Sequence, residues 1–120
     1  MTASAPVILV AEDEVLIRMA VADSLRDAGF AVTEAASAAE ALKAVRAGLK
    51  PDVLVTDVAM PGTMDGLALA TLLQRENPAL SVIVTSAHIE GANAELRADF
   101  VPKPYDPRAV VQSVTRALQR

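Results

Sequence analysis

The sequence predicts an α/β fold, a doubly wound parallel sheet with helices on both faces, on three observations. Short apolar runs alternate with segments of helical periodicity along nearly the whole chain. The apolar runs are continuous, as strands buried on both faces require. Strand-helix alternation also supplies the right-handed crossovers that parallel strands need.

VILVA at 7–11 is the first strand. Ile17, Ala20, Val21, Leu25 and Ala28 then recur at helical spacing until Gly29 closes the segment. AVTE at 31–34 reads as a second, shorter strand. Ser37 can cap the following helix, with Glu40 three residues on, and Gly48 and Pro51 end it. VLVTD at 53–57 is the third strand, GLALATLLQRE from Gly66 a helix stopped by Asn77 and Pro78, and LSVIVTS at 80–86 the fourth strand. DFVP at 99–102 is the fifth. Between them, Ala87 to Ala98 leave room for about two helical turns at about 3.6 residues per turn. ANAELRA from Ala92 offers only Leu96 as a large apolar anchor, so a stunted or mobile fourth helix is expected there. Pro107 suits the first turn of a last helix running towards Leu118. No repeat or interdomain linker is visible: residues 1–6 are expected to be a mobile lead-in and 7–120 one domain.

Composition narrows the function classes. With 120 residues, 52% of them hydrophobic, one domain can bury a core without staples. The absence of cysteine removes disulfides, thiolate metal sites and thiol catalysis, and suits a reducing compartment. No apolar run approaches the roughly 20 residues that span a bilayer, and MTASAP lacks the features of a secretory leader. A cytoplasmic location without membrane insertion is the expectation. A net charge of -4, no tryptophan and few aromatic residues argue against a direct nucleic-acid surface.

A core strand that ends on an acid needs a reason, and the third does so at Asp57. In an open parallel sheet, ligands bind beyond the carboxyl ends of the strands. Glu12 and Asp13 follow the first strand, Ser86 ends the fourth and Lys103 follows the fifth. If strands one, three, four and five are neighbours, three carboxylates, a hydroxyl and an amine converge. Carboxylates so placed repel, and a cation is the usual remedy. All-oxygen ligands with no histidine or cysteine beside them favour Mg2+ over Zn2+. A carboxylate beside Mg2+ and Lys103 is placed to attack phosphorus, with metal and amine neutralising the oxygens of the transferring group and Ser86 bonding a third oxygen.

VILVAEDE, VTDVAMPGTMDG, VIVTSA and FVPKPY resemble, in that order and spacing, the signature blocks of the receiver domain of two-component response regulators. The resemblance spans residues 7 to about 118. It implies a flavodoxin-like (βα)5 fold with strand order 2-1-3-4-5. It also implies phosphorelay signalling, in which a sensor histidine kinase or a histidine phosphotransfer protein donates a phosphoryl group to the third-strand aspartate. Asp57 would be the phosphoacceptor, and Glu12 and Asp13 the acidic pair that joins it at Mg2+. Ala59 would add its main-chain carbonyl to the metal. Ser86 matches the switch hydroxyl, Phe100 the switch aromatic, and Lys103 the lysine of a Lys-Pro pair whose bond to Pro104 is expected to be cis. Such a protein is a switch with self-catalysed phosphorylation and dephosphorylation rather than an enzyme acting on other substrates.

Two departures stand out. Gly62, Thr63 and Met64 make the loop before Asp65-Gly66 one residue longer than the commonest family form, and the stretch from Ser86 to Lys103 is shorter than usual. Simpler readings exist for single residues: Glu12 and Asp13 as helix caps, Ser86 as a strand-end hydroxyl, Phe100 as core, His88 as a solvated loop residue. Among whole functions, an aspartate-nucleophile phosphatase of the haloacid dehalogenase type would carry a DxD motif after the first strand, where this chain has adjacent acids. A pseudo-receiver that only docks would usually lack an acid or the lysine, and a flavodoxin would need a phosphate loop. A stand-alone regulator is expected, because no output segment follows before Arg120.

Overall fold

The computed structural model describes residues 5–86, 96–103 and 106–119. Its strands are β1 (Val7–Ala11), β2 (Ala31–Ala35), β3 (Val53–Asp57), β4 (Ser81–Ser86) and β5 (Ala98–Pro102). Its helices are α1 (Val15–Asp27), α2 (Ala38–Arg46), α3 (Gly66–Glu76) and α4 (Pro107–Leu118). All the strand pairings are parallel and the order is β2-β1-β3-β4-β5, as expected for the doubly wound, flavodoxin-like sheet.

Why the strands read as unbroken apolar runs is visible in the two core layers. Ile8, Val10, Val53, Val55, Ile83 and Val101 point to the face covered by α1 and α4, where Val21, Leu25, Val110 and Val114 meet them. Leu9, Leu54, Val82 and Val84, the residues between, point to the face covered by α2 and α3 and meet Ala41, Leu69, Ala70 and Leu73. The side-chain period of two is intact, but both phases are buried in the central strands, so apolar residues fill consecutive positions there, as at Ile8 to Ala11 and Val53 to Val55.

Local chemistry sets the ends of the helices. Ser37 caps α2 by accepting from the Glu40 N–H at 3.1 Å, and Asp65 caps α3 by accepting from the Ala68 N–H at 2.8 Å. Asp106 does the same for the Arg108 N–H, with Pro107 in the first turn of α4. Gly48, past the end of α2, adopts a φ of 116°, where L side chains are strained.

Some expectations are corrected. Ala20 and Ala28 are exposed; Ala22 takes the buried place beside Val21, because the covered stripe of α1 faces β1 and α4. β2 runs one residue further than expected, β4 starts one later and β5 one earlier. The helix expected from Ala92 lies mostly outside the described residues. Leu96 and Arg97 are irregular and Ala98 already pairs with Val82, so no helix extends to 98. Four helices stand among the described residues, none of them long and apolar enough to cross a membrane.

Candidate functional site

β1 and β3 pair in register, with Ala11 opposite Thr56, so the residues that follow, Glu12 and Asp57, emerge side by side at the carboxyl edge of the sheet. Both are buried, while Asp13 is exposed. Ligand oxygens of Glu12, Asp13 and Asp57 all lie within 4.8 Å of one another. Lys103, just past β5, reaches across the end of β4. Its Nζ donates to Asp57 Oδ2 at 2.9 Å and to Glu12 Oε1 at 3.1 Å. The convergence expected from strand ends therefore exists for Glu12, Asp13, Asp57 and Lys103.

Burial and charge act together on these groups. Burial pushes the Glu12 carboxyl up to about 6, and the neighbouring Asp57 charge adds to the rise, against the opposing Lys103 ammonium and the Glu14 N–H. For Lys103, burial works against the ammonium. Its hydrogen bonds to Asp57 and Glu12 outweigh that and hold its pKa above the ordinary lysine value. Lys103 thus stays charged and spans two of the three acids, and Asp13 faces solvent on the open side.

The main chain around Asp57 is held closely. Thr56, fully buried, donates its hydroxyl to the Asp57 carbonyl at 2.9 Å. The Gly66 N–H donates to the Val58 carbonyl at 2.9 Å, which seats the start of α3 on the end of β3. A Cβ at Gly66 would overlap the Asp57 carbonyl oxygen, so only glycine permits this approach. The longer loop between them turns at Gly62, whose φ is 106°. Ala59, exposed, lies two residues beyond Asp57 in this loop.

Ser86 is the last residue of β4, in register with Pro102, and its side chain lies outside what the structure describes. Phe100, opposite Val84 on β5, is half-buried against the layer that contains Leu54 and Val84. His88 and Pro104, with its expected cis bond, lie outside the described residues. Glu12 has a capping role as well: its Oε2 accepts from the Glu14 N–H at 3.3 Å, while Glu14, at the cap position of α1, makes no side-chain cap of its own. Capping and clustering with Asp13 and Asp57 coexist.

Sequence reading missed Arg18, whose Nη1 donates to the Glu12 carbonyl at 3.0 Å, and the packing reason for Gly66. A basic residue on the second turn after an acidic pair was the available signal for Arg18; for Gly66 it was the Asp-Gly step opening a helix.

The donor set is three carboxylates on one corner, with no nitrogen or sulfur ligand among them. That chemistry fits a hard divalent cation such as Mg2+.

Comparison with known proteins adds to this geometry. The family model for the response regulator receiver domain matches residues 8–115. The DNA-binding transcriptional regulator NtrC of Escherichia coli K12 is 37% identical over 117 residues, covering 93% of this chain and 24% of that protein. The sensor kinase CckA of Brucella abortus is 37% identical over 126 residues, covering 100% of this chain and 13% of that protein. The chain therefore spans a quarter or less of either relative. Among solved structures, a response regulator receiver protein from Sinorhizobium medicae superimposes with a TM-score of 0.87 at 27% identity, covering 96% of this chain and 95% of that one. The receiver domain of the hybrid histidine kinase CckA does so with a TM-score of 0.80 at 33% identity, covering 94% and 99%.

Proposed function

The chain belongs to the response regulator receiver domain family, whose members accept phosphoryl groups from histidine kinases in phosphorelay signalling, and from that premise we propose that Asp57 is the acceptor. A phosphohistidine on a sensor kinase or a phosphotransfer protein is the donor. An Asp57 carboxylate oxygen attacks phosphorus as the N–P bond breaks. The electron pair returns to the imidazole, which takes a proton from solvent, and Asp57 becomes an acyl phosphate.

The observation that carries this reading is the Lys103 ammonium lodged between Asp57 Oδ2 and Glu12 Oε1 in a corner of three acids. Lys103 engages Oδ2, which leaves attack to Oδ1, and its charge lies where it can pair with an oxygen of the incoming phosphoryl group. Glu12, Asp13, Asp57 and the Ala59 carbonyl are the residues that would hold Mg2+. When bound, the cation neutralises charge on the transferring oxygens. Thr56 and Gly66 fix the main chain of Asp57, so the nucleophile enters the reaction already oriented. Val15, Leu16 and Met19 expose apolar side chains on the first turns of α1, directly after the acids, a surface suited to a protein donor.

In the switch, the hydroxyl of Ser86 bonds a phosphoryl oxygen and Phe100 follows inward, biasing one packed unit between two arrangements that a downstream partner distinguishes. Incubation with acetyl phosphate and Mg2+, or with a cognate phosphorylated kinase, is expected to add one phosphoryl group by intact mass, and Asp57→Asn is expected to abolish it. An undiminished adduct in Asp57→Asn would sink the assignment. An unchanged Phe100 environment on beryllofluoride binding would sink the switch alone.

A further inference from the structure

Arg18 meets the acidic corner from behind, on its main-chain side. Nη1 donates to the Glu12 carbonyl at 3.0 Å, and Nε donates to Glu34 Oε1 on β2 at 3.3 Å. The arginine side chain is only 16% exposed, so both contacts are largely shielded from water. Glu34 is held in turn by Arg26, whose Nη2 donates to Oε2 at 3.1 Å. The Glu12 N–H donates to the Ala35 carbonyl at 3.0 Å. Both main-chain groups of Glu12 are thus engaged, one by the end of β2 and the other by a side chain from α1.

The Glu12 carbonyl belongs to the peptide plane that joins Glu12 to Asp13. Fixing that plane sets the direction in which Asp13 leaves the chain. Two contacts tie the turn to α1: the Glu14 N–H donates to Glu12 Oε2 at 3.3 Å, and the Arg18 side chain holds the Glu12 carbonyl. We propose that Arg18 is a positioning residue for cation binding: its fork, braced on Glu34, orients the 12–13 peptide so that Glu12 and Asp13 face the cation together with Asp57. This inference rests on the Mg2+ site proposed above.

Charge and positioning predict opposite results, which makes the idea testable. A guanidinium beside a cation site opposes binding by Coulomb repulsion, so a merely electrostatic Arg18 would bind Mg2+ more tightly once neutralised. A positioning Arg18 would bind it more weakly, as removal of groups that orient metal ligands commonly does. The experiment is a Mg2+ titration of the unphosphorylated protein, by calorimetry and amide chemical shifts, for the wild type, Arg18→Gln, Arg18→Lys and Glu34→Gln. Melting in EDTA reports folding. Arg18→Gln is expected to weaken Mg2+ roughly ten-fold. Arg18→Lys, which keeps the charge but cannot span both partners, is expected to weaken it as well and carries the test if the glutamine variant does not fold. Glu34→Gln, which keeps an acceptor oxygen for Arg18 Nε but loses the charge, is expected to weaken it by less than Arg18→Gln does. Unchanged or tighter binding in Arg18→Gln, or in Arg18→Lys where the glutamine variant does not fold, would overturn the proposal, as would a loss in Glu34→Gln equal to or greater than that in Arg18→Gln. No Mg2+ binding by the wild type would instead overturn the cation site itself, and this proposal with it.

Discussion

A carboxylate that is almost completely buried next to another acid carries a cost the chain bears until its partners arrive. Glu12 is 3% exposed, and burial, reinforced by Asp57, pushes it up to about 6 from an ordinary value of 4.5. A raised carboxyl pKa means that the folded protein prefers the protonated acid. The associated stability is fully present below pH 4.5 and is lost as pH rises through about 6. A shift of that size corresponds to about 2 kcal/mol. Glu12→Gln keeps the acceptor for Lys103 but does not titrate. Its stability relative to the wild type should therefore improve by about 2 kcal/mol between pH 4 and pH 7.5, measured by urea unfolding in EDTA. A constant difference across that range would show that Glu12 does not bear this strain. Lys103, whose pKa is raised by its two acids, stays charged throughout this window and adds no slope of its own.

At the scale of elements, β5 is an edge strand with β4 as its one strand neighbour among the described residues, and it must still place Lys103 accurately. Its entry is fixed by α3. Gln74, buried on that helix, accepts from the Arg97 N–H at 2.9 Å and donates to the Arg97 carbonyl at 2.9 Å and the Leu80 carbonyl at 3.0 Å. One side-chain amide thereby pairs with the main chain just ahead of β5, as a further strand would. Gln74→Leu fills similar space but leaves main-chain groups unpaired, a change that costs about 1–3 kcal/mol. Hydrogen exchange at the Arg97 amide should accelerate accordingly, while the amides of α1 keep their protection relative to global unfolding. Unchanged exchange at Arg97 would show that the clamp holds nothing. What was legible in the sequence follows the same division. VILVA and VLVTD declared themselves because both faces of the sheet are covered, and Asp57, Glu12, Asp13 and Lys103 because strand ends on a parallel sheet point to one edge. Arg18, Gly66 and Gln74 gave no comparable signal, since each acts on main-chain atoms of another segment, and main-chain partners leave no pattern of residue types. The exposed Ala20 and Ala28 of α1 misled because alanine is at home on either side of a helix.

The whole molecule divides its tasks between its interior and one edge. Two apolar layers supply the fold, and the carboxyl edge gathers acids whose mutual repulsion the fold tolerates but does not relieve completely. Lys103 compensates Asp57 and Glu12, while Asp13 stands on the open side, so the corner remains short of positive charge. A divalent cation that binds only the folded arrangement must then stabilise the entire domain by mass action, because the three acids are brought together only by the pairing of β1 with β3. At a hundred times its dissociation constant, Mg2+ should add about 2.7 kcal/mol. For a domain of this size that corresponds to a rise in melting temperature on the order of 10 °C. Simple screening of the acids by salt would also raise it, so the comparison is made at constant ionic strength, with Na+ in place of Mg2+. Asp13→Asn should remove most of the Mg2+ increment while leaving the Na+ baseline nearly unchanged, since Asp13 is exposed and contributes little to the core. An equal rise in Na+, or a full Mg2+ increment in Asp13→Asn, would mean that the corner is relieved by general screening and that these three acids do not act together on a cation.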